Sequence, residues 1–166
     1  VVGSSGCAKL TKDLPSQKKL RNIDFVIVNG ENADESGVGL TKKICENILE
    51  DKTKIETQFS TVILRYFNPI GAHHSSLIGE DPRNIPQNLV PIITEFAIGK
   101  SEKLTVYGDD YPTKDGTCIR DYIHIMDLAD AHISALEYLF SNNTNNCYDV
   151  FNVGTGKGLS LIHISE

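Results

Sequence analysis

TVILRYFNPIGAHHSSLIGEDPRNIPQNLVP, residues 61–91, decides the fold of this chain. Thr61 to Tyr66 is a short apolar, β-branched run and predicts a buried strand. From Pro69 to Asn88 the chain is rich in proline and glycine and shows little periodicity. That predicts a long ordered loop, the kind of segment on which functional groups are commonly carried. Leu89 to Ile98 then shows apolar residues at helical spacing, and Gly99 is placed to end the helix.

Working outward, Lys103 to Tyr107 alternates like a strand, and Gly108 to Gly116 is dense in turn residues. A further helix is expected to start with Asp127 as its N-cap and to place Leu128, Ala131, Ala135, Leu136 and Leu139 on one face. Asn142 to Asn146 reads as a loop, and Val150 to Val153 as a last short strand ahead of the glycine cluster GTGKG. On the amino-terminal side, Thr41 to Glu50 predicts a helix capped by Thr41, with Ile44, Ile48 and Leu49 at helical spacing, followed by a polar linker from Asp51 to Ser60. Leu10 to Leu20 reads as a lysine-rich surface helix. Ile23 to Val28 reads as a buried strand running into the Asn29-Gly30 turn. The alternation of strands and helices, with no internal repeat, argues for an α/β layered fold.

The 166 residues suffice for one domain with a real core. A net charge of -6 argues against a protein that binds nucleic acid through its phosphate backbone. Cys7, Cys45, Cys118 and Cys147 lack CxxC spacing, so free thiols in a reducing compartment are expected. No apolar run approaches the length of a membrane span and VVGSSGCAKL is not a signal sequence, so a soluble, cytoplasmic protein is expected.

Taken singly, the chemically versatile residues have ordinary structural readings. His73, His74, His124 and His132 show no metal-ligand spacing. GTGKG does not satisfy GxxxxGK[ST] and reads as a tight turn. Asp109, Asp110, Asp115 and Asp121 read as a solvated, turn-forming surface.

Their joint order says more. LRYFNPIGAH, GEDP, IPQNLVP, TVYGDDY, DGTCIRDYIH and IMDLADAH, all within residues 58 to 158, resemble the UDP-glucose/UDP-galactose 4-epimerases of the extended short-chain dehydrogenase/reductase enzymes. Those enzymes bind NAD on a doubly wound sheet and a UDP-hexose on a smaller carboxyl-terminal domain. The resemblance implies an incomplete Rossmann-like α/β fold. It would hold the carboxyl-terminal half with the nucleotide-sugar-binding subdomain and lack the amino-terminal GxGxxG βαβ unit.

It also implies roles. Phe67 resembles the residue against the nicotinamide side of NAD, and Asn68 one that hydrogen-bonds the UDP-sugar. Gln87, Asn88 and Leu89 resemble a helix start that meets the diphosphate-sugar moiety, where the helix dipole favours anions. Gln87 stands where asparagine is usual. Thr105, Val106 and Tyr107 resemble the strand lining the uracil pocket, with the aromatic ring as a stacking face. Arg120 resembles the diphosphate ligand, its planar guanidinium suited to two parallel bonds to phosphate oxygens. The competing structural reading of Arg120 is a salt bridge to Asp121 or another carboxylate.

Epimerisation moves a hydride from sugar C4 to NAD and back to the other face, and calls for a tyrosine base in a YxxxK helix. Lys42 fits that lysine and would also face the cofactor, but Val38 stands at the tyrosine position and cannot exchange a proton. Residues 1 to about 40 lack the GxGxxG turn and the acidic ribose-binding residue. They are instead similar to the start of a bacterial cyclic-nucleotide metallophosphoesterase, in which Glu31 and Asn32 would be weak candidate metal ligands. The junction is expected between Gly37 and Asn47. The expected organisation is therefore a metallophosphoesterase-like fragment at 1–40, an epimerase-like segment at 41–158 and a non-native tail at 159–166.

The leading expectation is a catalytically inactive epimerase fragment that binds UDP-glucose or UDP-galactose and does not retain NAD. The parent family is often homodimeric. The competing expectations are a metal-dependent phosphodiesterase remnant and a non-enzymatic nucleotide-sugar-binding module.

Overall fold

A computed structural model of the chain describes residues 37–141 and 146–161. The helix and strand expected at Leu10–Leu20 and Ile23–Val28 lie outside the described residues, as do Glu31, Asn32 and Cys7. The elements run α1 (Gly37–Ile55), β1 (Thr61–Tyr66), β2 (Asn68–Ile70), α2 (Leu89–Ala97), β3 (Arg120–His124), α3 (Ile125–Ser141), β4 (Tyr148–Val153) and β5 (Gly158–Leu159).

β1 is the spine of the molecule. Thr61, Val62, Ile63 and Leu64 are all buried, because alternate side chains of the strand are covered on opposite faces. Val62 and Leu64 pack against Ala135 and Leu139 of α3. Ile63 points the other way and packs with Leu49 of α1 and Phe59. A strand sandwiched between two helices has no wet face, which is why its sequence reads as a near-continuous apolar run. β4 lies beside β1 in parallel, from Thr61 opposite Tyr148 to Tyr66 opposite Val153.

Several element boundaries differ from the sequence expectation. α1 begins at Gly37 and not at Thr41, so Thr41 lies inside the helix and not at its start. The helix also continues through the expected linker to Ile55. Thr53 holds its last turns by donating to the Leu49 carbonyl at 2.8 Å and meeting the Thr61 hydroxyl at 3.2 Å. α3 begins at Ile125 and not at Asp127. The His124 ring nitrogen accepts the Met126 N–H at 3.2 Å, capping the helix three residues before Asp127. Asp127 falls in the first turn, where its charge still favours the dipole. β4 starts two residues before the expected Val150, because pairing with Thr61 and Val62 draws Tyr148 and Asp149 into the ladder. Lys103–Tyr107 forms no strand. Alternation supplies a pattern but not a partner, and no described strand runs along this segment, where Leu104, Val106 and Tyr107 are exposed. β2, β3 and β5 were not foreseen. α2 ends as expected: Gly99 takes φ +75° and the Lys100 N–H reaches back to the Glu95 carbonyl at 2.9 Å.

No described helix is long and apolar enough to cross a membrane. Cys45, Cys118 and Cys147 form no disulfide among the described residues.

Candidate functional site

The strands divide the molecule at a fork. Where β1 and β4 end they stop pairing with each other, and β3 enters between their continuations. β2, the continuation of β1, pairs in parallel with one side of β3, Asn68 opposite Tyr122. β5, the continuation of β4, pairs antiparallel with the other side, Arg120 opposite Leu159 and Asp121 opposite Gly158. The fork lies at the carboxyl ends of the parallel strands β1 and β4, the usual ligand position of open α/β sheets.

Phe67 sits at the crotch of the fork, its N–H bonded to the Val153 carbonyl at 3.1 Å. Its ring lies over Gly154 so closely that a Cβ there would come within 2.6 Å of the ring and 2.6 Å of the Asp121 carboxylate. Asn68 follows at the first position of β2. Arg120 opens β3 and is solvent-exposed, with no carboxylate within ion-pairing distance among the described residues. The salt bridge to Asp121 does not form. Asp121 turns instead to the segment after β4 and accepts hydrogen bonds from Thr155 N at 3.0 Å, Thr155 Oγ1 at 2.6 Å and Gly156 N at 2.9 Å. Burial pushes its carboxyl up, but these donors together outweigh that and hold it below the ordinary aspartate value. Asp121 is therefore a structural ligand of GTGKG, which is the tight turn expected, with Gly156 at φ +72°.

Lys42 lies on α1 and is half-buried. Glu46 of α1 is buried and paired with Arg65 of β1. One helical turn before Glu46 is Lys42, and two strand residues after Arg65 is Phe67.

Residues 26–154 match the NAD dependent epimerase/dehydratase family. The chain belongs to this family. It is 52% identical over 126 residues to a UDP-glucose 4-epimerase of Pisum sativum, across 76% of this chain and 36% of that protein. It is 50% identical over 142 residues to the UDP-glucose 4-epimerase of Erwinia amylovora, across 86% of this chain and 41% of that protein. The solved UDP-glucose 4-epimerase of Bifidobacterium longum in complex with NAD+ and UDP superposes with a TM-score of 0.76 at 36% identity, covering 88% of this chain and 48% of that one. The chain thus spans between about a third and a half of the length of these relatives. The fold is a part of the Rossmann-like extended epimerase fold.

Other expected positions of this epimerase/dehydratase family member lie farther out. Asn88 is the N-cap of α2 with extended backbone but makes no side-chain cap. Its amide donates to Glu80 at 2.5 Å, which ties the helix start to the GEDP segment. Gln87 beside it is exposed and Leu89 half-buried. Thr105, Val106 and Tyr107 are exposed, the tyrosine at 89%. Both groups lie on segments outside the β2, β3 and β5 sheet that carries Asn68 and Arg120. Val38 lies in the first turn of α1, one turn ahead of Lys42.

Of the histidines, His132 donates its Nδ1 proton to the Leu128 carbonyl at 2.7 Å, and the His124 ring covers Gly71, whose φ of +90° leaves no room for a Cβ. No group of three His, Cys, Asp or Glu among the described residues could hold a metal ion. Asp115 organises its own turn through Thr113 and Thr117.

NAD occurs in the solved relative. A GxGxxG turn for its pyrophosphate is absent from the sequence.

Proposed function

We propose that this chain carries the UDP-hexose-binding part of a UDP-glucose 4-epimerase and does not itself turn the sugar over. The observation that supports this reading is the fork. It sets Asn68 and an exposed Arg120, without an ion pair among the described residues, on adjacent strands at the mouth of the fork, with Phe67 at its base.

Arg120 would take the diphosphate as a two-pronged donor, and Asn68 would hydrogen-bond the sugar. The dipole at the start of α2, at Gln87 to Leu89, would favour the same negative charge, and the exposed ring of Tyr107 would stack on uracil. When bound, NAD would supply the hydride acceptor and donor. The chain's own contribution to that chemistry would be Lys42, which can hold a positive charge beside the cofactor. Val38 has no proton to give or take, so proton transfer at the sugar 4-hydroxyl has no base at the expected position.

Calorimetric titration with UDP and UDP-glucose, in the absence of NAD, tests the reading. Saturable binding that Arg120→Ala weakens at least tenfold is expected, with no conversion of UDP-galactose above a blank. Absence of binding by the wild-type chain, or equal binding by Arg120→Ala, would overturn the site, and measurable conversion would overturn the inactivity.

A further inference from the structure

Asp121 occupies the point where β3 enters between β2 and β5. Neighbouring residues of a strand face opposite sides. Its carboxylate is therefore directed away from the face that carries the Arg120 side chain and cannot act as its counter-ion. It closes instead on the segment that links β4 to β5, through Thr155 N, Thr155 Oγ1 and Gly156 N. The same carboxylate lies against Gly154, which lies against the Phe67 ring.

We propose that Asp121 is a positioning residue for the diphosphate ligand Arg120. It would pin the strand that carries Arg120 to the end of β4, and so set the opening of the fork that Phe67 and Asn68 share. This inference rests on the UDP-binding reading above and deepens it. With the Asp121 carboxylate engaged by three donors, the permanent charge of Arg120 is left for an incoming anion. A charge-assisted clamp of this kind also limits sideways drift of β3, and a two-pronged phosphate contact tolerates misplacement of well under 1 Å.

Asp121→Asn keeps the shape of the side chain but turns an NH₂ group toward the turn's N–H donors, breaking the clamp. Thr155→Val removes the 2.6 Å hydroxyl donor from the other side, at a residue outside the proposed binding set. Both variants and Arg120→Ala are titrated with UDP in the full chain, and each is combined with Arg120→Ala. Asp121→Asn is expected to weaken UDP binding five- to tenfold and Thr155→Val severalfold. In the Arg120→Ala background neither is expected to add more than about twofold, since both act through the arginine.

Losses that multiply in the double variants would show a general structural role and overturn the proposal, as would Asp121→Asn and Thr155→Val binding UDP like the wild type. Should Asp121→Asn not fold, Thr155→Val carries the same comparison. A wild-type chain that fails to bind UDP overturns the underlying reading and this proposal together. Binding by the wild type that both variants leave unchanged overturns this proposal alone.

Discussion

Glu46 of α1 and Arg65 of β1 meet in a two-pronged ion pair, with Arg65 Nε 2.8 Å from Oε1 and Nη2 2.6 Å from Oε2. Glu46 is buried while Arg65 is 35% exposed, and Lys43 adds a longer contact at 3.6 Å. The pair fixes the register of α1 along β1, and with it the level of Lys42.

Removing one partner leaves the other half-buried without its complement. Glu46→Gln is expected to cost about 2 kcal/mol, below the range for fully buried pairs because Arg65 keeps contact with water. Glu46→Gln combined with Arg65→Met is expected to recover part of that loss. Urea unfolding of the three proteins checks both, and a single variant as stable as the wild type would refute the clamp.

The pH dependence follows from the same pair and from Asp121. The Arg65 hydrogen bond holds the Glu46 carboxyl below its ordinary value against the opposing effect of burial. Asp121 is also lowered, its donors from Thr155 and Gly156 outweighing burial. A carboxyl that is more acidic folded than unfolded contributes stability above its unfolded pKa, about 4, and loses it as pH falls through the folded value. Urea midpoints are expected to be level from pH 8 to 6 and to drop below about pH 4.5. Glu46→Gln is expected to show a shallower drop, and an equal slope in the two proteins would count against this assignment.

Ile63 is fully buried between Leu49 and Phe59, whereas Ile48 is 59% exposed on the opposite side of α1. Ile63→Ala is expected to cost about 3–4 kcal/mol through lost burial and the cavity it leaves. Ile48→Ala is expected to change stability by less than about 0.5 kcal/mol. Denaturant melts distinguish the two, and similar losses would contradict the layering.

Gly154 has no room for a methyl group between Phe67 and Asp121. Gly154→Ala is expected to lower stability by about 1–3 kcal/mol, the usual cost of overpacking. It is also expected to perturb the amide resonances of Thr155 and Gly156. An unperturbed spectrum would show that the fork is looser than the distances indicate.

Much of the fork could be anticipated, and some could not. TVILRY announced β1 to the residue, because a strand covered on both faces leaves a continuous apolar signature. Gly99 ended α2 as expected, since a positive φ is a local demand that glycine meets. The order of the motifs from Leu64 to His132 pointed to the family before any coordinates. Thr41 and Asp127 misled as caps, because a capping side chain marks where a helix can begin and not where packing lets it begin. Lys103–Tyr107 alternated correctly and had no described neighbour to pair with.

Asp121, expected on a solvated, turn-forming surface, does hold a turn, but that of the distant Thr155 and Gly156. Arg65 gave a signal, as a charge within a buried strand that needed a partner. What the sequence alone determined was the set of local elements, the family, and the identity of Arg120, Asn68 and Phe67 as candidates, all of which depend on short-range pattern. What only the tertiary structure decided was which carboxylate answers which donor. Glu46 and Arg65 are 19 residues apart and Asp121 and Thr155 are 34 apart. Such pairs form only when the sheet brings distant segments within hydrogen-bonding reach.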